Sequence, residues 1–355
     1  MMKKYNFSAG PCILPQEVFQ EASQAILDFN NSGLSILEIS HRSADFVSVM
    51  EEARNLSLKL LGLENKGYKA LFLQGGASMQ FLMTAYNLLE KKAAYLNTGT
   101  WATKAIKEAK FFGEVVEVAS SKDKNFNYIP KNYKVPTDAD YFHCTSNNTI
   151  FGTQMKEFSS VAIPLVCDMS SDIFSREMDF SKFDMIYAGA QKNMGPAGTT
   201  LVIIKEDILG KVSREIPSML NYKTHIEKDS MFNTPAVYAV YVSLLTMRWM
   251  DRKGGVKAME ELNNKKAALL YSEIDRNELF KGYAEKEDRS TMNATFNLTD
   301  ESLKDRFDEL WKAEGINGLN GHRSVGGYRA SMYNALPPHS VTTLVEVMQE
   351  LERKA

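Results

Sequence analysis

From about residue 68 the chain alternates short apolar runs with stretches whose apolar positions recur every three or four residues. Ala70–Leu73 is followed by Met79–Leu89, Ala93–Asn97 by Trp101–Phe111, and Val115–Ala119 comes next. Strand and helix in this rhythm predict a parallel sheet with crossover helices. Further runs at Tyr141–Thr145, Ile163–Asp168, Met185–Ala188 and Thr200–Lys205 are mostly apolar throughout, as strands covered on both faces should be. The α/β sheet should therefore have about seven strands, mainly parallel.

Thr234-Pro235 reads as an N-cap followed by proline at the first helical position, opening an apolar helix to about Asp251, and Gly254-Gly255 breaks that pattern. Beyond the break come a polar helix (Val256–Ile274), a strand (Ala294–Leu298), a helix (Ser302–Ala313), a strand (Tyr328–Tyr333) and a terminal helix (Val341–Glu350). This suits a small α+β domain. A chain of 355 residues exceeds what one core usually holds, so two lobes are expected. The expected division is a large domain over residues 16–254 and a small one over 255–355 that also takes in residues 1–15.

Charge narrows the partners. Lys and Arg total 42 against 44 Asp and Glu, with no long block of one sign, which argues against nucleic acid. Val237–Met247, the least polar stretch, is about half the length of a bilayer-spanning helix and ends at Arg248. No apolar run of signal-peptide length precedes Gly10 and Pro11. Cys12, Cys144 and Cys167 have neither C-x-x-C spacing nor a zinc-site histidine pattern. The expectation is a soluble cytoplasmic protein with free thiols and no metal.

The strongest chemical signal is YAGAQKNMGPAG, residues 187 to 198, where Lys192 stands between an apolar strand and a run of glycines. A lysine that bonds a cofactor carbonyl and later shuttles a substrate proton must sit on such a short, stiff loop. Upstream, IPLVCDMSS ends its apolar strand in Asp168, where a parallel sheet presents side chains to a ligand crevice. A carboxylate there would keep a pyridine nitrogen protonated and the ring electron-accepting. In LFLQGGASMQF, residues 71 to 81, a strand runs through Gly75-Gly76 into a helix whose amides could cradle a phosphate, although neither nucleotide-binding glycine pattern is present. Trp101 follows the next strand and could stack on a ring, and Thr149 follows another. Taken singly, each has an ordinary reading: a solvated loop lysine, a capping aspartate, a glycine turn, a buried aromatic. Gly76, Trp101, Thr149, Asp168 and Lys192 all follow predicted strands on one sheet edge, and that convergence favours a ligand site.

The stretches NFSAGPCILP (6–15), SHRSADF (40–46), GAQKNMGPAG (189–198), SMFNTPAVY (230–238) and GHRSVGGYRASMYNA (321–335) make the sequence resemble the phosphoserine aminotransferase family, class-V aminotransferases of pyridoxal-phosphate (PLP) fold type I. The resemblance implies that Lys192 carries the cofactor, Asp168 pairs with its pyridine nitrogen, Trp101 stacks on the ring and Thr149 bonds near its phenolic oxygen. It further implies that the phosphate is held by the amides of Ala77 and Ser78, by Gln191, and by Asn233 and Thr234 from the second subunit of a homodimer. Enzymes of the family move an amino group from L-glutamate to 3-phosphohydroxypyruvate, giving O-phosphoserine and 2-oxoglutarate in serine biosynthesis. A related acceptor, 3-hydroxy-2-oxo-4-phosphooxybutanoate, would belong to vitamin B6 synthesis. Each substrate carries an α-carboxylate and a second anionic group. Arg329 would take the first in a two-bond fork, and His41, Arg42, His322 and Arg323 would face the second.

Two positions depart from the family: Ser78 stands where many members have arginine, and Ala9 where some have serine. The rival readings are another fold-type-I enzyme, such as an alanine–glyoxylate aminotransferase, and a non-catalytic binding protein on the same fold. A cysteine desulfurase fits poorly, because it needs a mobile-loop cysteine after the cofactor lysine and all three cysteines precede Lys192.

Overall fold

Seven strands form the central sheet in the spatial order Tyr68–Leu73, Thr200–Lys205, Met185–Gly189, Leu165–Asp168, Tyr141–Thr145, Lys92–Asn97, Glu114–Ser120. The sheet belongs to a computed structural model that describes residues 4–355. Thr200–Lys205 runs antiparallel to both of its neighbours, and every other pair is parallel. The seven apolar runs of the sequence are these seven strands.

Their lack of polar alternation has a direct cause, since both faces of the sheet are covered. Phe72, Leu96, Cys144, Cys167 and Ile203 point into one core, beneath the helices Gln16–Leu27, Ala44–Leu60 and Val237–Arg252. Leu71, Tyr95, Val166, Tyr187 and Val202 point into the opposite one, under Gly76–Leu88 and Thr100–Ala109. Successive residues thus serve different cores, as the two-residue period of a strand requires.

A further core gathers residues between Ala267 and Leu351 around an antiparallel sheet, Phe280–Gly282, Asn293–Leu298 and Tyr328–Ser331. Phe7 and Ile13 belong to that core as well, and Tyr5–Asn6 pairs in parallel with Ile316–Asn317. The helices Gly255–Arg276 and Pro338–Lys354 pack on each other over it.

Thr234-Pro235 does not start a helix. The chain turns first, with the Val237 amide donating to the Pro235 carbonyl at 2.8 Å, and the helix begins at Val237 behind Ala236, whose ψ of 75° is not helical. The strand at Ile163–Asp168 begins at Leu165, because Pro164 has no N–H to offer the ladder. Among the described residues no helix is long and apolar enough to cross a membrane.

Candidate active site

Six parallel strands end on one edge, and a cavity of about 380 Å³ opens there, lined by Gly76, Trp101, Thr149, Asp168 and Lys192 together. The five strand-end residues singled out in the sequence therefore meet in one place. Ala77, Ser78, Gln191, His322 and Arg329 also line it, with Ala9 and Gly10 from the N-terminal segment.

Lys192 sits in the short helical turn Ala190–Asn193 between two paired strands, where Gly189 faces Thr200 across the ladder and fixes the ends of the loop. Its amine donates to Thr149 Oγ1 at 3.2 Å and lies 5.3 Å from the centre of the Trp101 ring. Burial lowers the Lys192 pKa, the Asp168 carboxylate raises it in part, and the Arg329 guanidinium lowers it again. Asp168 is pushed up by burial, against the opposing pull of Lys192 and the Ser170 amide, which donates to Asp168 Oδ1 at 2.9 Å. The pair is thus an amine drawn toward its neutral, nucleophilic form and an acid placed at a strand terminus.

At the other wall the helix Gly76–Leu88 starts behind Gly75, whose φ of 93° suits glycine and whose Cβ, if present, would lie 2.6 Å from Met79 Cβ. Met79 is the first residue to bond back, to the Gly75 carbonyl. The amides of Gly76, Ala77 and Ser78 are then first-turn donors with no intrahelical acceptor, at the positive end of the helix dipole. This serves an anion without any help from the Ser78 side chain.

Arg329, on the strand Tyr328–Ser331 of the small sheet, reaches Thr149 O from Nη1 at 3.4 Å. Its Nε is buried with no hydrogen-bond partner, as is Trp101 Nε1. Two unpaired buried donors in residues that line one cavity are costly. Burial lowers the His322 pKa, aided by Arg329, Arg323 and Lys104, and its Nδ1 accepts from the Ser324 amide at 3.2 Å.

Not every predicted residue joins the cavity within one chain. His41, Arg42 and Arg323 do not line it, and Arg42 and Arg323 are exposed. Asn233 borders a separate pocket behind Gly75, its side chain donating to Gln74 Oε1 at 3.2 Å, while Thr234 is exposed and gives its carbonyl to Gln74 Nε2.

The sequence reading missed Ser170, Gly10 and Cys12. Ser170 was detectable as a short residue two places after an acid, a turn-forming spacing. Gly10 and Cys12 gave no local signal. Cys12 Sγ donates to the Lys192 carbonyl at 2.5 Å, and burial pushes its thiol up to about 12, so it stays a donor. Cys144 and Cys167 are buried in adjacent strands, and all three cysteines are free. Among the described residues no group of three His, Cys, Asp or Glu side chains is arranged for a metal.

Comparison with known proteins identifies the family and the fold. Residues 4–344 match the family described as Aminotransferase class-V. The chain is 70% identical to a phosphoserine aminotransferase of Flavobacterium psychrophilum, over 99% of this chain and 100% of the relative. It superposes on the solved phosphoserine aminotransferase of Bacillus circulans subsp. alkalophilus with a TM-score of 0.96 at 43% identity, covering 99% of each chain. A PLP-bound phosphoserine aminotransferase from Trichomonas vaginalis aligns with a TM-score of 0.93 at 36% identity, over 98% of this chain and 100% of that one.

Proposed function

We propose that this chain, which belongs to the class-V aminotransferase family and within it to the phosphoserine aminotransferases, transfers an amino group from L-glutamate to 3-phosphohydroxypyruvate. The observation that carries the reading is the meeting of Lys192, Asp168 and Arg329 in one cavity at the strand ends. Its rival, an alanine–glyoxylate aminotransferase, needs no clamp for a second anion at the mouth.

The cavity suits pyridoxal phosphate on three counts. An amine of lowered pKa stands 5.3 Å from a flat indole, an acid occupies the strand terminus, and a helix start offers three free amides for a phosphate. When bound, the cofactor would supply the carbonyl for covalent attachment and the ring that accepts electrons from the substrate Cα. Lys192 would hold it covalently and would move the proton at the substrate Cα. Asp168 would hold a proton at the pyridine nitrogen, and the Ser170 amide fixes its carboxylate in place. Trp101, Thr149, Ala77, Ser78 and Gln191 line the same cavity, where Trp101 would cover the ring, Thr149 would meet the phenolic oxygen and the Ala77 and Ser78 amides with Gln191 would hold the phosphate. Ala9 adds only its backbone.

Arg329, a lining residue of the cavity, orients the α-carboxylate common to both substrates through its guanidinium. His322 and Arg323 receive the distal phosphate or γ-carboxylate. His41, Arg42, Asn233 and Thr234 lie away from the cavity of their own chain and complete a neighbouring one in a homodimer. The lobes divide at 254/255, with residues 4–15 joining the small one and residues 1–3 lying outside the described residues, and the enzyme works in the cytoplasm.

The test uses purified holoenzyme. It should show a visible absorbance band that borohydride abolishes while fixing the cofactor on Lys192, and it should form O-phosphoserine. A colourless protein, or a Lys192→Ala variant that transaminates normally, would end the reading. Running the longer acceptor, 3-hydroxy-2-oxo-4-phosphooxybutanoate, in the same assay measures how far the phosphate clamp tolerates an added carbon.

A further inference from the structure

Lys266 lies in the middle of the helix Gly255–Arg276 and is only 1% exposed. Among the described residues no carboxylate receives its ammonium. All three donors go to main-chain carbonyls: Met332 at 2.9 Å, Tyr333 at 2.7 Å and Leu336 at 3.2 Å. An ammonium has three hydrogens and no acceptor, so this set matches the charged form completely. Burying it is still expensive, and burial drives its pKa down to about 7. A helix interior facing an apolar core could carry leucine at no such cost.

What the lysine holds is the turn between the strand that carries Arg329 and the helix Pro338–Lys354. Two residues of that turn reach the active site. Tyr333 Oη donates to the Ala9 carbonyl at 2.8 Å, on the cavity wall. The Asn334 amide donates to Asn193 Oδ1 at 2.9 Å, one residue beyond Lys192. The Asn334 side chain donates to Phe174 O at 2.9 Å and accepts from Asn263 Nδ2 at 2.8 Å, and Asn263 stands one helical turn before Lys266. The turn is thus fastened to the Arg329 strand at one end and to the Lys192 loop through its middle.

We propose that Lys266 is a positioning residue for amino transfer: by clamping residues 332–336 it fixes Arg329, on the small sheet, and Lys192, in a turn of the large one, in one relation across the cavity. The role rests on the amino-transfer reading given above. Lys266 touches neither substrate nor cofactor. It acts through Tyr333 and Asn334, and a substrate held by its α-carboxylate at Arg329 meets Lys192 at the right distance only while the turn is held.

The test compares Lys266→Met and Asn193→Ala holoenzymes with the unaltered one, reading melting temperature, cofactor content, KM for glutamate and for 3-phosphohydroxypyruvate, and the pH at which the visible band titrates. Lys266→Met should keep its cofactor and raise both KM values about tenfold, the scale of one lost charge-assisted hydrogen bond. The visible-band titration should move in both variants, and the double variant should exceed the larger single effect by little. Unchanged KM values and an unchanged titration in Lys266→Met, at any melting temperature, would overturn the proposal. Should Lys266→Met not accumulate as folded protein, Asn193→Ala decides alone, and an unmoved titration there overturns it equally. If the unaltered holoenzyme forms no O-phosphoserine, the amino-transfer reading fails instead.

Discussion

Lys192 and Lys266 are both buried amines with pKa values lowered by burial, and their surroundings are opposite. Lys192 has one neutral hydrogen-bond acceptor, the Thr149 hydroxyl, and faces an open cavity with an acid across it. Lys266 has three carbonyl acceptors and is 1% exposed. A lysine left short of acceptors beside free space is available to react, and one with every hydrogen engaged is a fastening. Burial and a perturbed pKa are common to both, so neither marks a reactive lysine without the count of unfilled donors.

The sharpest way to break this comparison is to remove both amines. Lys192→Ala should lower kcat by about three orders of magnitude, the scale of lost general acid–base catalysis. Lys266→Met should leave kcat within about tenfold of the original. Equal losses in steady-state assays would mean that the contrast between the two sites is false.

Next in size is the pair of arginines that separates the two ends of the substrate. Arg329→Ala and Arg42→Ala should each weaken kcat/KM by roughly 2 kcal/mol, as lost charge-assisted contacts do. Arg329→Ala should affect every substrate alike, because all share the α-carboxylate. Arg42→Ala should weigh more on the phosphorylated acceptor than on glutamate. Unchanged kinetics in both would remove the substrate assignment.

A smaller effect concerns stability without the cofactor. The folded pKa of Lys192 lies below its unfolded value, so the unfolded chain binds more protons and stability is lost as pH falls from the unfolded pKa through the folded one. Lys192→Met removes that loss. Cofactor-free Lys192→Met should therefore melt higher than the cofactor-free parent at neutral pH, with the gap closing as pH rises toward about 10.4. A gap that widens with pH would contradict the burial cause.

Smallest is a proton count at the mouth. His322 is held toward its neutral form by burial and three cations, and a bound anion should reverse this. Sulfate binding should take up a fraction of a proton at His322, and its affinity should decline as pH rises through the window between the free and bound pKa values. Calorimetry in buffers of different ionisation enthalpy reads the uptake. No uptake would place the distal anion away from His322.

How much of this was legible in the sequence follows from chain separation. The seven strands could be read because continuous apolar runs need no distant information, and Asp168, Lys192 and Trp101 because each follows its own strand. Gln16–Leu27 and Ala44–Leu60 escaped notice as helices, their buried faces being split by exposed Phe19, Leu27 and Val47. Lys266 was hidden for another reason: its acceptors are backbone atoms 66 to 70 residues away, which no side-chain pattern reveals. Cys12 meets Lys192 across 180 residues in the same way.

The pairing of Tyr5–Asn6 with Ile316–Asn317 also sets a timetable for synthesis. The first strand made must wait 316 − 5 = 311 residues for its partner, roughly 15–60 s at ribosomal rates of 5–20 residues per second. By then the central sheet, whose last strand ends at Lys205, has already emerged. A nascent chain halted before Ile316 would hold Lys192 and Asp168 on a formed sheet with Cys12 beside them, but with Tyr5–Asn6 unpaired and Arg329 still unmade.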